Sequence, residues 1–307
     1  ERMAHFGELV QLDGSFHPWF EGRGRHSCLL TLVDDATGRS LGRFGAQETI
    51  WAAVGILRAW IARYGIPRAL YTDWKNVDVR RPNQEERETG AEALTQFGRM
   101  CAALAIKIIP ASSPQAKGRI ERNHGTHQDR LVKKLRRHGI ADVAAANAFL
   151  DAGYWDDHNH RFAQAAASAD DFHVTAPRER VLDAVFRLQE TRTVANDWVV
   201  RYTNRFLQLE RQSQRPPARS TVQVFEDAAG RLEIRYRDRV MRWTELTTPP
   251  APIPVRPPPR AGRSATEATA PPLRRPCADH PWHHVADDHR AARQLAAARR
   301  AWDAVQP

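Results

Sequence analysis

SSPQAKGRIERNHGTHQDRLVKKL, residues 112–135, is built to start a helix at a set place and to carry one acid near its beginning. Ser112 or Ser113 supplies a hydroxyl cap, Pro114 suits the first helical position, where no amide donor is needed, and Gln115 adds a polar first turn. Ile120, Leu131 and Leu135 then recur near whole helical turns, so the spacing predicts one apolar stripe packed on a sheet. Glu121 lies at the edge of that stripe, placed to lean over neighbouring strand ends. A solvated glutamate paired with Lys117, four residues earlier, is the other reading of the same residue.

Two aspartates fall beside apolar runs upstream. Asp13 in LVQLDGS (9–15) follows Leu9, Val10 and Leu12, and Asp73 in RALYTDW (68–74) follows Ile66, Leu70 and Tyr71. Both runs read as strands, with each acid at a strand end next to buried sheet. A carboxylate there is costly to desolvate unless it is solvated, hydrogen-bonded or paired with a cation. Taken singly, Asp13-Gly14 is also a turn signal, and Asp73 a strand-end turn or helix cap. Taken together, two strand aspartates and one helix glutamate can converge on metal.

The order of acids, strand Asp13, strand Asp73, then Pro114, Gln115, Gly118 and Glu121 on a helix, resembles the DDE transposases and retroviral-type integrases of the ribonuclease H-like superfamily. The resemblance covers roughly residues 6–160 and implies that Asp13, Asp73 and Glu121 are the catalytic, metal-binding triad. It further implies two Mg²⁺ or Mn²⁺ ions, with Asp13 bridging both. Hard oxygen ligands suit those ions, and a metal pair about 3.5–4 Å apart can activate the attacking oxygen, steady the phosphorus centre and relieve the leaving oxygen. The expected activity is DNA strand cleavage followed by strand transfer of a mobile element, on double-stranded DNA carrying the element's ends and on target DNA, by a homo-oligomer. A ribonuclease H-like nuclease without joining activity and an inactive DNA-binding descendant are the alternatives. Two departures stand out. The interval between Asp73 and Glu121 is longer than in many relatives, which fits a charged insert at 74–90. Basic residues that integrases often carry after the glutamate are Gly125 and Gln128 here, so DNA contacts are expected instead from Lys117, Arg119, Arg122, His124 and Arg130.

The intervening elements agree. CLLTLVDDATG (28–38) and SLGRFGA (40–46) read as a hairpin, and 48–65 as a helix with Ile50, Val54, Leu57, Ile61 and Tyr64 on one face. GAEALTQFGRMCAALA (90–105) reads as a second helix and IKIIP (106–110) as a short strand. The β-β-β-α-β-α-β-α order predicts an α/β fold, a mixed sheet flanked by helices. Residues 1–165 are the expected catalytic core, closed by a helical stretch whose Tyr154, Trp155, His158, Asn159 and Arg161 resemble the last helix of these enzymes. A helical connector is expected over 166–188. Short alternating runs over 189–246 predict five strands in a small barrel, SH3-like by resemblance, with Arg201, Arg205, Arg235, Arg237, Arg239 and Arg242 on a DNA-binding or merely solvated face. The Pro-rich stretch 247–278 reads as an extended, disordered linker and 279–307 as a C-terminal helix.

The chain has 307 residues and a formal charge of +10, which favours an anionic partner such as nucleic acid. Three cysteines without a spacing framework, Cys28, Cys101 and Cys277, predict no disulfide scaffold and a reducing compartment. His124 with His127, and the tail histidines 280, 283 and 284, lack structural zinc spacing. No apolar run approaches the roughly 20 residues of a membrane span. The expected location is cytoplasmic and nucleoid-associated, in a bacterial-type cell. Opening on Glu1, the chain reads as a piece to which an N-terminal DNA-reading module is expected to belong.

Overall fold

Val10–His17 (β1), Ser27–Asp34 (β2) and Ser40–Gly45 (β3) form an antiparallel meander. The computed structural model describes residues 2–72, 94–110, 118–212 and 217–248. Helix α1 (Ile50–Tyr64) leads back to β4 (Ala69–Thr72), and α2 (Gln96–Ala103) precedes β5 (Lys107–Pro110). Both β4 and β5 run parallel to β1, giving one mixed sheet of order β3-β2-β1-β4-β5. Helix α3 spans Gly118–Arg137, α4 Val143–Phe149 and α5 Trp155–Phe162, the last two joined by a π-helical turn at Leu150–Tyr154. Helix α6 (Glu179–Val185) then leads into the second β region.

This is the predicted mixed sheet flanked by helices. The N-cap Thr49 side chain accepts from the Ala52 amide, and Gly65 ends α1 with φ 107°, a conformation that favours glycine. The face of α1 buries Val54, Leu57 and Ile61, with Ile50 and Tyr64 packed at its margin, as the periodicity requires. Every residue of β2 is buried, because helices cover both faces of this central strand. In α3 the expected stripe of Ile120, Leu131 and Leu135 is completed by His124 and His127, two buried imidazoles at core positions.

Strand β3 is a sheet edge, and its outward backbone groups are met by side chains from the helices packed over it. Asn159 accepts from the Ser40 amide and donates to its carbonyl, and Asn147 does the same at Phe44. Between them, the Trp155 indole donates to the Gly42 carbonyl. A side chain at Gly42 would meet that indole, with a Cβ only 2.7 Å from Trp155 Cζ2. An edge covered in this way cannot pair with another chain.

Seven strands follow: β6 (Leu188–Thr193), β7 (Val199–Tyr202), β8 (Arg205–Leu209), β9 (Thr221–Glu226), β10 (Leu232–Tyr236), β11 (Arg239–Met241) and β12 (Trp243–Leu246). They form two antiparallel sheets, β11-β10-β9-β6 and β12-β8-β7, around a separate apolar cluster of Val200, Leu207, Val224 and Ile234. The five strands expected here are seven, lying in two sheets. WVVRYTNRFLQLE divides because Thr203 and Asn204 take positive φ in a tight hairpin turn, and RVMRWTEL divides at Arg242, where the chain passes from one sheet to the other. The turns expected at Asp227–Gly230 and Asp238 are present. The helix-capping segment at 112–115, the whole 74–90 insert, the linker beyond 248 and the C-terminal helix lie outside the described residues.

Two expectations follow from these contacts. Asn147→Ala or Asn159→Ala strips β3 of two backbone partners and is expected to cost about 1–3 kcal/mol, read as a lower denaturant midpoint. An unchanged midpoint would show that water replaces the amide without loss. Buried His158 is held down to about 4 by desolvation, then by Lys134 and Arg130, and burial, with His158 and His124 nearby, holds His127 well below the ordinary imidazole range. Both stay neutral when folded, so the unfolded chain takes up protons first as pH falls below 6.5. Stability is therefore full above that value and lost towards pH 4, by roughly 3 kcal/mol for His158 alone. His158→Gln should flatten that slope in urea titrations at pH 7 and pH 4.5.

Candidate active site

β1 carries Asp13 into the space beneath α3. Val10, Gln11 and Leu12 pair in parallel with Leu70, Tyr71 and Thr72, while β2 pairs with β1 throughout, placing Asp13 opposite Thr31. Asp13 therefore stands in mid-strand, just past the end of the β1–β4 pairing, rather than at the strand end that the sequence suggested. Its Oδ2 lies 3.7 Å from Nδ1 of His124, and His124 Nε2 lies 2.7 Å from Thr31 Oγ1. His124 thus lies between the Asp13 carboxylate and the Thr31 hydroxyl, and that hydroxyl also donates to the Asp13 carbonyl at 3.4 Å. His124 was expected at a DNA surface; it is buried and ties α3 to β1 and β2.

The next residue, Gly14, is a close approach and not a turn. An added Cβ would fall 1.7 Å from Glu48 Oε1 and 2.9 Å from Cys28 Sγ. The Cys28 thiol donates to Glu48 Oε1 at 3.6 Å. Burial pushes this thiol up, and the charges of Glu48 and Asp13 push it further, so it stays protonated and is no nucleophile. Glu48 is thus a further acid against β1, on the Gly14 face of the strand, that sequence reasoning missed. Its position just before the Thr49 cap gave it the look of an ordinary helix-start carboxylate.

Glu121 is exposed in the first turn of described α3, three residues before His124. Gln128, four residues after His124, donates to Ser15 Oγ at 3.0 Å. Glu121, His124 and Gln128 thus form one row of the helix along the β1 side. The start of α3 is held by Arg119, which pairs with Asp35. That buried carboxylate also accepts from Gln11 Nε2 at 2.9 Å and from the Met3 amide at 2.8 Å. Arg119 is therefore committed within the protein, whereas Arg122 and Arg130 are exposed.

Asp73 and Lys117 lie outside the described residues, and Asp73 follows directly on Thr72, the partner of Leu12. Among the described residues no three His, Cys, Asp or Glu side chains gather closely enough to hold a metal ion. Asp13 and Glu121 nonetheless offer the oxygen donors that a hard divalent cation prefers. In the second β region, Arg205 pairs with Glu245, Arg235 with Glu233 and Arg242 with Glu210, so half of the anticipated basic face is neutralised internally. No described helix is long and apolar enough to cross a membrane.

The molecule is thus an α/β protein whose long helix docks on the central strand of its sheet through His124 at Asp13. No family model matches it. It is 36% identical over 240 residues to "Putative transposase y4bF" of Sinorhizobium fredii, covering 77% of this chain and 51% of that protein. It is also 36% identical over 206 residues to the transposase for insertion sequence IS1202 of Streptococcus pneumoniae, covering 66% of this chain and 43% of that one. The chain is a relative of insertion-sequence transposases and spans about half the length of those it matches. Among solved structures, a simian T-cell lymphotropic virus intasome is similar with TM-score 0.41 and 17% identity, over 79% of this chain and 77% of that chain. The HTLV-2 integrase catalytic core domain with magnesium follows with TM-score 0.35 and 19% identity, over 48% and 84%.

Arg119→Ala should release the first turn of α3 and leave Asp35 short of a partner. The expected outcome is a loss of about 1–3 kcal/mol and faster amide exchange around Glu121, with α1 unaffected. Equal protection in both proteins would rule out an anchoring role.

Proposed function

We propose that this chain is the catalytic part of a DDE-type transposase, a polynucleotidyl transferase that cuts DNA and joins the cut end to a target. The observation that carries this reading is the docking of the Glu121 helix onto β1 at Asp13 through His124. The register adds to it, since Thr72, which precedes Asp73 in the sequence, pairs with Leu12, which precedes Asp13. The strand order and the mixed parallel and antiparallel pairing are those the ribonuclease H-like reading requires.

In this reading Asp13, Asp73 and Glu121 hold two Mg²⁺ or Mn²⁺ ions through their carboxylate oxygens. When bound, such a pair supplies Lewis-acid charge at the attacking oxygen, the phosphoryl oxygens and the leaving oxygen. His124 keeps the Asp13 carboxylate oriented and the helix in place. Water first opens a phosphodiester and frees a 3′-hydroxyl. That hydroxyl then bonds to a target phosphorus as the target's own 3′-oxygen leaves, so one ester replaces another. The substrates are double-stranded element ends and target DNA, held by a homo-oligomer, in a cytoplasmic, nucleoid-associated setting.

The test is metal-dependent cleavage and joining of end-bearing oligonucleotides by the whole protein. Asp13→Asn, Asp73→Asn and Glu121→Gln should each lower both steps by at least ~10²-fold while leaving the DNA dissociation constant unchanged, because phosphate contacts dominate affinity. Cleavage without joining in the unaltered protein would point instead to a nuclease on this fold. Full activity in any of the three variants would remove that acid from the triad.

A further inference from the structure

We propose that α3 and α5 together form a second phosphodiester-binding track, directed at a stretch of DNA duplex other than the one held at Asp13 and Glu121. The proposal rests on the reading of this chain as a DNA strand-transfer enzyme and adds a binding site to it. Arg130 lies nine residues after Glu121, which places it about 180° around the helix. The flank of α3 that carries it therefore faces away from the candidate active site.

Two cavities open along that flank and share His158 and Phe162. One, of about 210 Å³, is lined by Arg130, Lys133, Lys134 and Arg161 against a single acid, Asp157. The other, of about 280 Å³, is lined by Arg2, Arg119 and Arg122 with no acid in its wall. Lys133 is paired with Asp129, Lys134 lies 3.9 Å from Asp157, and Arg119 is taken up by Asp35. Arg122, Arg130 and Arg161 make no ion pair with a carboxylate among the described residues. The Arg130 guanidinium sits over the Phe162 ring at 5.0 Å, which holds it in place while its N–H edge stays available to an acceptor.

The arrangement selects a polymer over a small anion. A free phosphate is best held by donors converging on one point, whereas here the uncommitted guanidiniums are strung along the helix. From Arg122 to Arg130 is about 12 Å of helix axis, which matches three to four steps of one DNA strand, at roughly 3.4 Å each. The β region at 188–246 is a weaker competitor for this role, because three of its six candidate arginines are already paired.

The experiment measures binding of the whole protein to a labelled duplex without element ends, over a series of salt concentrations. The double variant Arg130→Glu/Arg161→Glu is compared with Arg180→Glu, an exposed site on α6, and with the milder Arg130→Gln/Arg161→Gln pair should the charge reversal fail to fold. We expect at least tenfold weaker binding and a salt slope smaller by about 2 for the double variant, with little change for Arg180→Glu. Wild-type affinity and slope in a folded double variant overturn the track. So does competition by inorganic phosphate at the concentration of phosphate groups at which duplex competes. The same preparations are assayed for metal-dependent cleavage. Loss of duplex binding in the double variant, with no cleavage by any preparation, sinks the enzymatic reading and leaves the track standing. Acid-dependent cleavage with unchanged duplex binding sinks the track alone.

Discussion

Strand β1 is hydrogen-bonded to β2 along its whole length but to β4 over three residues only. This unequal pairing is the constraint on which the candidate site depends. It fixes the sheet order and the faces to which successive side chains point. It also ends the parallel ladder at Leu12, so that the strand emerges with Asp13 and Ser15 on one face. Helix α3 docks on that face through His124 and Gln128, and Glu121 comes with it. A one-residue slip of β1 would turn both contacts to the opposite side of the sheet.

The order of strands and helices was legible because their periodicities are strong and their stops are chemical, as at Gly65 and Pro67. The resemblance carried by Pro114, Gln115, Gly118 and Glu121 pointed to relatives that the sequence comparison then found. The misreadings have physical causes. Asp13 and Gly14 look like a turn, yet they continue β1, where the glycine is required by the nearness of Glu48 and Cys28. His124 looks like a surface group, yet with His127 it fills the core stripe of α3, where hydrogen bonds to Thr31 and Tyr154 offset their burial. The two sheets of the second β region were hidden because the Thr203-Asn204 hairpin turn contains no glycine to mark it. Asn147 and Asn159 carried no periodic signal at all, since their partners are backbone groups of a distant strand.

The protein's excess positive charge is distributed unevenly in its effect. Half of the candidate arginines of the second β region are spent on nearby glutamates, where exposed pairs contribute little to stability but remove local positive potential. Along α3 and α5 the carboxylates are fewer than the cations, so positive potential persists there. Net charge alone could not have located this difference, because it counts paired and unpaired arginines alike.

The environments of the acids bear on the metal-binding reading in the same way. Asp34 is wholly buried, and burial pushes its carboxyl up even though the Gly7 amide and Thr37 donate to it. Such an acid is a structural element, tying the N-terminal segment to the β2–β3 turn. Asp13 is only half-buried and Glu121 is exposed. Acids intended for Mg²⁺ need this accessibility, because the ion retains waters and must also accept substrate oxygens. A cluster sealed from solvent would instead suffer mutual repulsion and take up protons. Asp34 is thus a carboxylate that holds the fold, whereas Asp13 and Glu121 keep the access to solvent that the metal-binding reading requires.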